Sequence, residues 1–204
     1  MIMTKKVFLI LTAFLLVSTT IQAQEVVEGD SLYAGTKYGE LLLNRGCFIK
    51  RVDSNTTSYD VNNETTFIDA QIQSFYINEQ TSCYFYKLSR KISFVGEFST
   101  YIWYKDVDEI IKAIHKLQES IDKDCEKSPE YLTNSYITRD GFEIGYSVKK
   151  KGKKVKAKWY MKWREIRPVL EIQIDKILAA FKTAQVQIGE IIQNDRDFYK
   201  IAED

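Results

Sequence analysis

Little in this chain breaks or staples a backbone: 204 residues contain two prolines, nine glycines and three cysteines, and a single histidine. So few prolines and glycines, with 45% hydrophobic residues, exclude a low-complexity or disordered chain. One histidine excludes most histidine-based triads unless His115 serves. His115 falls on the flank of a helical stripe, between Ile114 and Leu117, where a solvated or boundary histidine is expected. Cys47, Cys83 and Cys125 are odd in number and their spacing fits no zinc pattern, so no metal site is expected. Cys47 and Cys83 both fall in strand-like segments; a disulfide between them and a pair of buried free thiols are both open. G-x-S-x-G, H-E-x-x-H and a glycine-rich phosphate loop are all missing, and no cofactor is expected.

Long apolar runs are also missing. The longest, residues 7–17, is too short for a permanent bilayer anchor, and it follows Lys5 and Lys6 and precedes a small-residue stretch ending at Ala23. This is the pattern of a secretory signal peptide, residues 1–23, cleaved after Ala23. Its look is bacterial, and the expected compartment is the periplasm or the exterior. No cysteine stands near the cleavage point, which argues against a lipid-anchored lipoprotein. Excess charge of either sign is absent as well: without Lys5 and Lys6 the chain has 27 basic and 28 acidic residues, a net charge of −1. Global charge therefore predicts no polyanionic partner.

What is present is a repeat. Val107, Ile110, Ile111, Ile114, Leu117 and Ile121 follow the i, i+3, i+4, i+7 spacing of one apolar helix face. At an ungapped offset of 67 the same stripe returns as Ile174, Ile177, Leu178, Phe181, Ala184 and Ile188. Asp108 matches Asp175, Ala113 matches Ala180, and the strand-like Ile102 and Trp103 answer Val169 and Leu170. Residues 98–121 and 165–188 thus each read as a strand running into a helix.

Taken in order, residues 24–45 are a lead-in, with Leu41, Leu42 and Leu43 open to a helical turn or a buried strand. Strands are expected over 47–52, 66–77, 82–89 and 98–104, with a surface loop or wide connection over 53–64. The first helix is expected from Asp106, with Glu109 completing an acidic cap, to about 124. Residues 125–133 form a junction in which Ser128 and Pro129 suit one further helical turn through Leu132. The second half is expected to place strands over 134–138, 142–149 and 154–164, joined at Asp140 and Gly141 and at Lys151 and Gly152. Pro168 delays a fourth strand to 169–173, and a helix follows from Ile174 to about 194, leaving 195–204 as a tail. The expected fold is α+β, two four-stranded antiparallel sheet-plus-helix repeats, 46–124 and 134–194, packed as one unit.

This order resembles the tandem four-strands-then-helix arrangement of the PUR and Whirly families, whose members bind single-stranded nucleic acid on their sheets. The resemblance is one of topology, no family motif comes with it, and the signal peptide does not suit a nuclear or organellar nucleic-acid binder. Residues 131–146 and 154–160 also look like segments of exported bacterial proteins of unassigned function.

The most distinctive local feature is the strand over 154–164. Val155, Ala157, Trp159, Met161 and Trp163 share one face, and Lys154, Lys156, Lys158, Tyr160, Lys162 and Arg164 share the other. Lys149, Lys150, Lys151 and Lys153 surround the preceding turn. The functional reading is a cationic strip of Lys154, Lys156, Lys158, Lys162 and Arg164 for an anionic partner; the alternative is a solvated outer face or an edge guarded by lysines. The tryptophans lie opposite the lysines, in the core, and cannot interleave with them to stack bases. A carboxylate pair assembled by folding, for example among Glu143, Asp140 and Asp69, would be invisible in sequence, so a hydrolase stays open. The sequence points first to an exported, non-catalytic binding or interaction module whose partner is an anionic envelope component or another protein.

Overall fold

The computed structural model describes residues 33–43, 46–62, 66–163, 170–196, 198, 200 and 201. The chain divides into two units, residues 1–45 and 46–204. In the first, the leucine run resolves as a short helix, α1 (Lys37–Leu42), begun by Thr36, whose hydroxyl accepts the Gly39 N–H at 2.9 Å.

The second unit opens with a four-stranded antiparallel meander, β1 (Ile49–Asp60), β2 (Phe67–Ile77), β3 (Thr81–Ile92) and β4 (Gly96–Trp103), in the order β1-β2-β3-β4. The sequence reading of 53–64 as a loop is corrected here, because β1 runs on to Asp60 through its pairing with β2. β1 is an outer strand exposed along most of its length. With little to bury, it shows no apolar alternation, and cross-strand hydrogen bonds supply what periodicity could not reveal. In β3, Cys83, Tyr84, Phe85 and Tyr86 are buried in succession, as expected of a strand with apolar bulk on both faces.

β4 runs straight into α2 (Tyr104–Glu126), two residues earlier than the acidic cap at Asp106 suggests, and the capping position, Trp103, makes no side-chain cap bond. The helical turn expected at Ser128 is also corrected. Ser128 takes a left-handed φ of 48°, which ends the helix, and a strand begins three residues on. The second meander is β5 (Tyr131–Ile137), β6 (Glu143–Lys151), β7 (Lys154–Lys162) and β8 (Leu170–Glu171), followed by α3 (Ile174–Asp195). A two-residue strand, β9 (Lys200–Ile201), pairs in parallel with the start of β3. The fold is α+β, two sheet-plus-helix repeats, as the sequence predicts.

Both helical stripes are buried where the periodicity places them. Val107, Ile110, Ile111, Ile114 and Leu117 are buried on α2, and Ile177, Phe181, Ala184 and Ile188 on α3. One core gathers Ile68, Ile72 and Tyr86 of the first sheet, Ile144 and Met161 of the second, and both helices.

The helices are exchanged between the repeats. α2 packs mainly across β5, β6 and β7, with Leu117 against Tyr146 and Val148. α3 reaches back to the first sheet, where Phe181 meets the Tyr86 ring at 5.5 Å and Lys176 pairs with Asp60 at 3.3 Å. The two helices meet each other through Gln185 and Asp108.

A tyrosine–aspartate contact anchors the far end of each helix. Tyr146 on β6 donates to Asp124 Oδ2 of α2 at 2.7 Å, and Asn134 on β5 donates at 3.4 Å. Tyr76 and Tyr84 donate to Asp195 Oδ2 of α3 at 2.8 and 2.9 Å. Lys127 and the Tyr146 hydroxyl hold the Asp124 carboxyl below its ordinary value, while burial, with Asp124 second, pushes the Tyr146 phenol up to about 12.

Tyr146→Phe is expected to cost about 1.5–3 kcal/mol in urea denaturation at neutral pH, the range for hydrogen bonds to charged groups. Because the folded-state pKa of Asp124 is depressed, its contribution is present above the unfolded value of 3.8 and is lost as pH falls through the folded one. The deficit of the variant should therefore shrink in the acid, and a deficit independent of pH would refute the clamp.

Candidate binding face

On the second sheet the inner side chains of β5, β6 and β7 lie against α2, and the outer side is open. The turns at Asp140 and Gly141 and at Gly152 and Lys153 set the register. Gly152 supplies a φ of 64° at the first turn position, so Lys151 faces Lys154 and, further along, Glu143 faces Lys162. At the centre of this face Gly145 lets β5 approach closely: a Cβ there would lie 2.3 Å from the Asn134 carbonyl oxygen and 2.5 Å from the Ser135 Cβ. On this face lies an open groove of about 400 Å³, lined by Tyr131, Thr133, Glu143, Lys158, Tyr160 and Glu171 among others.

Glu143 organises the groove. Its Oε1 accepts from the Tyr160 hydroxyl at 2.7 Å, and its Oε2 lies 2.7 Å from Lys162 Nζ. Burial would raise the Glu143 carboxyl, but hydrogen bonds from Lys162, Tyr160 and Ser135 and the Lys162 charge outweigh it and hold the group below its ordinary value. Burial, with Glu143 second, pushes Tyr160 up to about 12. On the neighbouring strand Lys158 Nζ lies 2.7 Å from Glu171 Oε2, an exposed pair.

The predicted strip is thus of two kinds. Lys158 and Lys162 are spent on carboxylates inside the groove, whereas Lys154 and Lys156 sit at the hairpin tip. Arg164 lies outside the described residues. From Ile144 to Trp163 the sequence has eight lysines and no acid. Six of them, Lys149, Lys150, Lys151, Lys153, Lys154 and Lys156, are exposed around one turn, and none forms an ion pair among the described residues. Lys149 stands directly opposite Lys156, and Lys151 opposite Lys154. Like charges opposed across a ladder are destabilising. Edge protection explains part of this pattern, since residues 154–158 run past the short β8. It does not explain Lys149, which lies where β6 is paired on both sides, with Tyr131 of β5 and Lys156 of β7. The tryptophans are on the core side: Trp163 is buried and Trp159 packs edge-on against Tyr146 at 5.2 Å.

The other candidates are dispersed. Asp69 is exposed on β2 of the first sheet, Asp140 sits in the β5–β6 turn, and the carboxylate that shares the groove with Glu143 is Glu171. Glu143 is held ionised, the opposite of what a general acid requires. Cys47, Cys83 and Cys125 are free thiols, so the bridge between Cys47 and Cys83 that the sequence left open is not formed. Burial pushes the Cys83 thiol up to about 12, which marks an inert side chain. Among the described residues no cluster of His, Cys, Asp and Glu could hold a metal, and no helix is long and apolar enough to cross a membrane.

The Glu143 and Lys162 pairing did not follow from the sequence, because a turn at Lys151 and Gly152 would set Glu143 opposite Tyr160; the turn falls one residue later, at Gly152 and Lys153, and sets it opposite Lys162. Nor did the place of Glu171, since it arrives from beyond the connection at 164–169. No family model, no curated protein and no solved structure matches this chain.

A carboxyl carbon titration followed by NMR is expected to place Glu143 below the ordinary 4.5. Lys162→Met should move that midpoint upward. An unmoved midpoint would show that the ion pair does not set the charge of the groove.

Proposed function

We propose that this protein is an exported, non-catalytic binding module that takes an anionic envelope component along the outer face of its second sheet. The observation that carries the reading is the β6–β7 hairpin, where six exposed lysines crowd one turn and four of them face one another in two pairs. Opposed lysines cost a hairpin stability, and Lys149 sits where β6 is interior, so its pairing with Lys156 is best explained by a partner that supplies the missing negative charge. The groove beside the hairpin offers a neutral-to-polar surface of tyrosine, threonine and paired charges, suited to orienting an extended ligand rather than transforming one. The expected signal peptide, residues 1–23, accords with partners such as acidic phospholipid headgroups or phosphorylated glycans.

The test is co-sedimentation with phosphatidylglycerol vesicles and with lipopolysaccharide at low salt, phosphatidylcholine vesicles serving as control. Each lysine near an anionic surface is worth about 1 kcal/mol, so Lys154→Glu with Lys156→Glu should weaken retention by at least about tenfold. The same substitutions turn repelling pairs into attracting ones, so the melting temperature should hold or rise. Retention unchanged in the double variant, or absent from both anionic surfaces in the unaltered protein, would end the reading.

A further inference from the structure

The four sheet-border strands are treated differently. β1 carries Lys50, Arg51 and Asp53 and breaks its register between Ser54 and Thr57, where Asn55 takes a left-handed φ of 52°. Charge and a bulge are the devices that keep a border strand from pairing with another chain. β4 carries Glu97, paired with Lys87, and β8 is two residues long.

β5 has none of these. Tyr131–Ile137 contains no charged residue and no proline, its register with β6 is unbroken, and among the described residues it pairs with β6 alone. The Thr138 N–H donates to the Phe142 carbonyl and the Lys150 N–H to the Glu130 carbonyl. That parity commits the backbone groups of even-numbered residues to β6 and leaves those of Tyr131, Thr133, Ser135 and Ile137 facing the open border.

The strand is also complementary to itself. Laid antiparallel on a second copy about a two-fold axis at Asn134, Tyr131 meets Ile137 of the other copy, Thr133 meets Ser135, and Leu132 meets Tyr136. Each open N–H and C=O then finds a partner, since only odd-numbered residues face odd-numbered ones. Tyr131 and Ile137, exposed to 65% and 59%, are the large apolar side chains that β5 leaves in water. The pairing puts them against each other, with the hydroxyls of Thr133 and Ser135 between them, and such cross-strand pairs are stabilising.

We propose that the protein forms a symmetric dimer through β5, two copies pairing antiparallel about Asn134 into one continuous sheet. The outer faces then run on from one copy to the next, and the grooves beside Tyr131 and Thr133 lie on the same side. This inference rests on the border strand and not on the lysine hairpin, so each can fail without the other.

Sedimentation equilibrium of the unaltered chain should give twice the chain mass at micromolar concentration. Thr133→Lys with Ser135→Lys sets lysine against lysine across the axis and should weaken association by at least about fiftyfold. Thr133→Glu with Ser135→Lys sets opposite charges in the same places and should keep the dimer within a few-fold. Far-UV circular dichroism checks folding; if the double-lysine chain does not fold, Ile137→Lys at the exposed end of the strand gives the same reading. A monomer at about 100 μM, or equal association of the two charge variants, would overturn the proposal.

Discussion

An aspartate in the last turn of a helix works against the helix dipole, by about 0.3–1 kcal/mol at the surface. This protein places one at the end of each of its long helices, and both are held by tyrosine hydroxyls from the other repeat. Asp124 takes Tyr146, and Asp195 takes Tyr76 and Tyr84. The local cost is offset by charge-assisted hydrogen bonds that form only when helix and opposing sheet are docked. Everything else in the second unit depends on that docking, because each repeat's apolar sheet face is covered largely by a helix that the other supplies.

The exchange decides which surfaces remain for function. α2 consumes the inner face of the second sheet, and α3 fits Phe181 between Tyr86 of the first sheet and Phe142 at the foot of β6. The outer face of the second sheet keeps a glycine where a side chain would collide with β5, a buried glutamate held ionised, and a hairpin whose lysines repel one another. A fold indifferent to ligand would gain stability by replacing any of the opposed lysines. Of these lysines, Lys149 sits where β6 is paired on both sides and needs no border protection, which is the physical argument behind the proposed anionic partner.

How far the sequence carried depended on what each segment buries. The helices and β6 were legible because each buries one face along its length, and the apolar spacing of Ile110, Ile114, Phe181 and Phe142 reports that directly. β1 was not legible, since a strand exposed over most of its length has no pattern to show. The start of β5 was hidden by Ser128 and Pro129, which suit a helical turn equally well until the left-handed φ at Ser128 forecloses it. Helix exchange could not be read at all: a stripe states that a face is covered and not by which sheet. The lysine face was legible by alternation, while the split between Lys158 and Lys162, spent on carboxylates, and a tip without ion pairs among the described residues came only with Glu143 and Glu171 in place.

If the helices interlock the repeats, neither sheet can open without undocking the helix that completes the other. Native-state hydrogen exchange measures this most directly, comparing amides of Phe85 and Ile102 in the first sheet with those of Ile144 and Met161 in the second. The exchanged-helix architecture predicts one opening free energy for all four, equal to that of global unfolding. Two distinct free energies, one for each sheet, would show that the repeats fold independently and would contradict it.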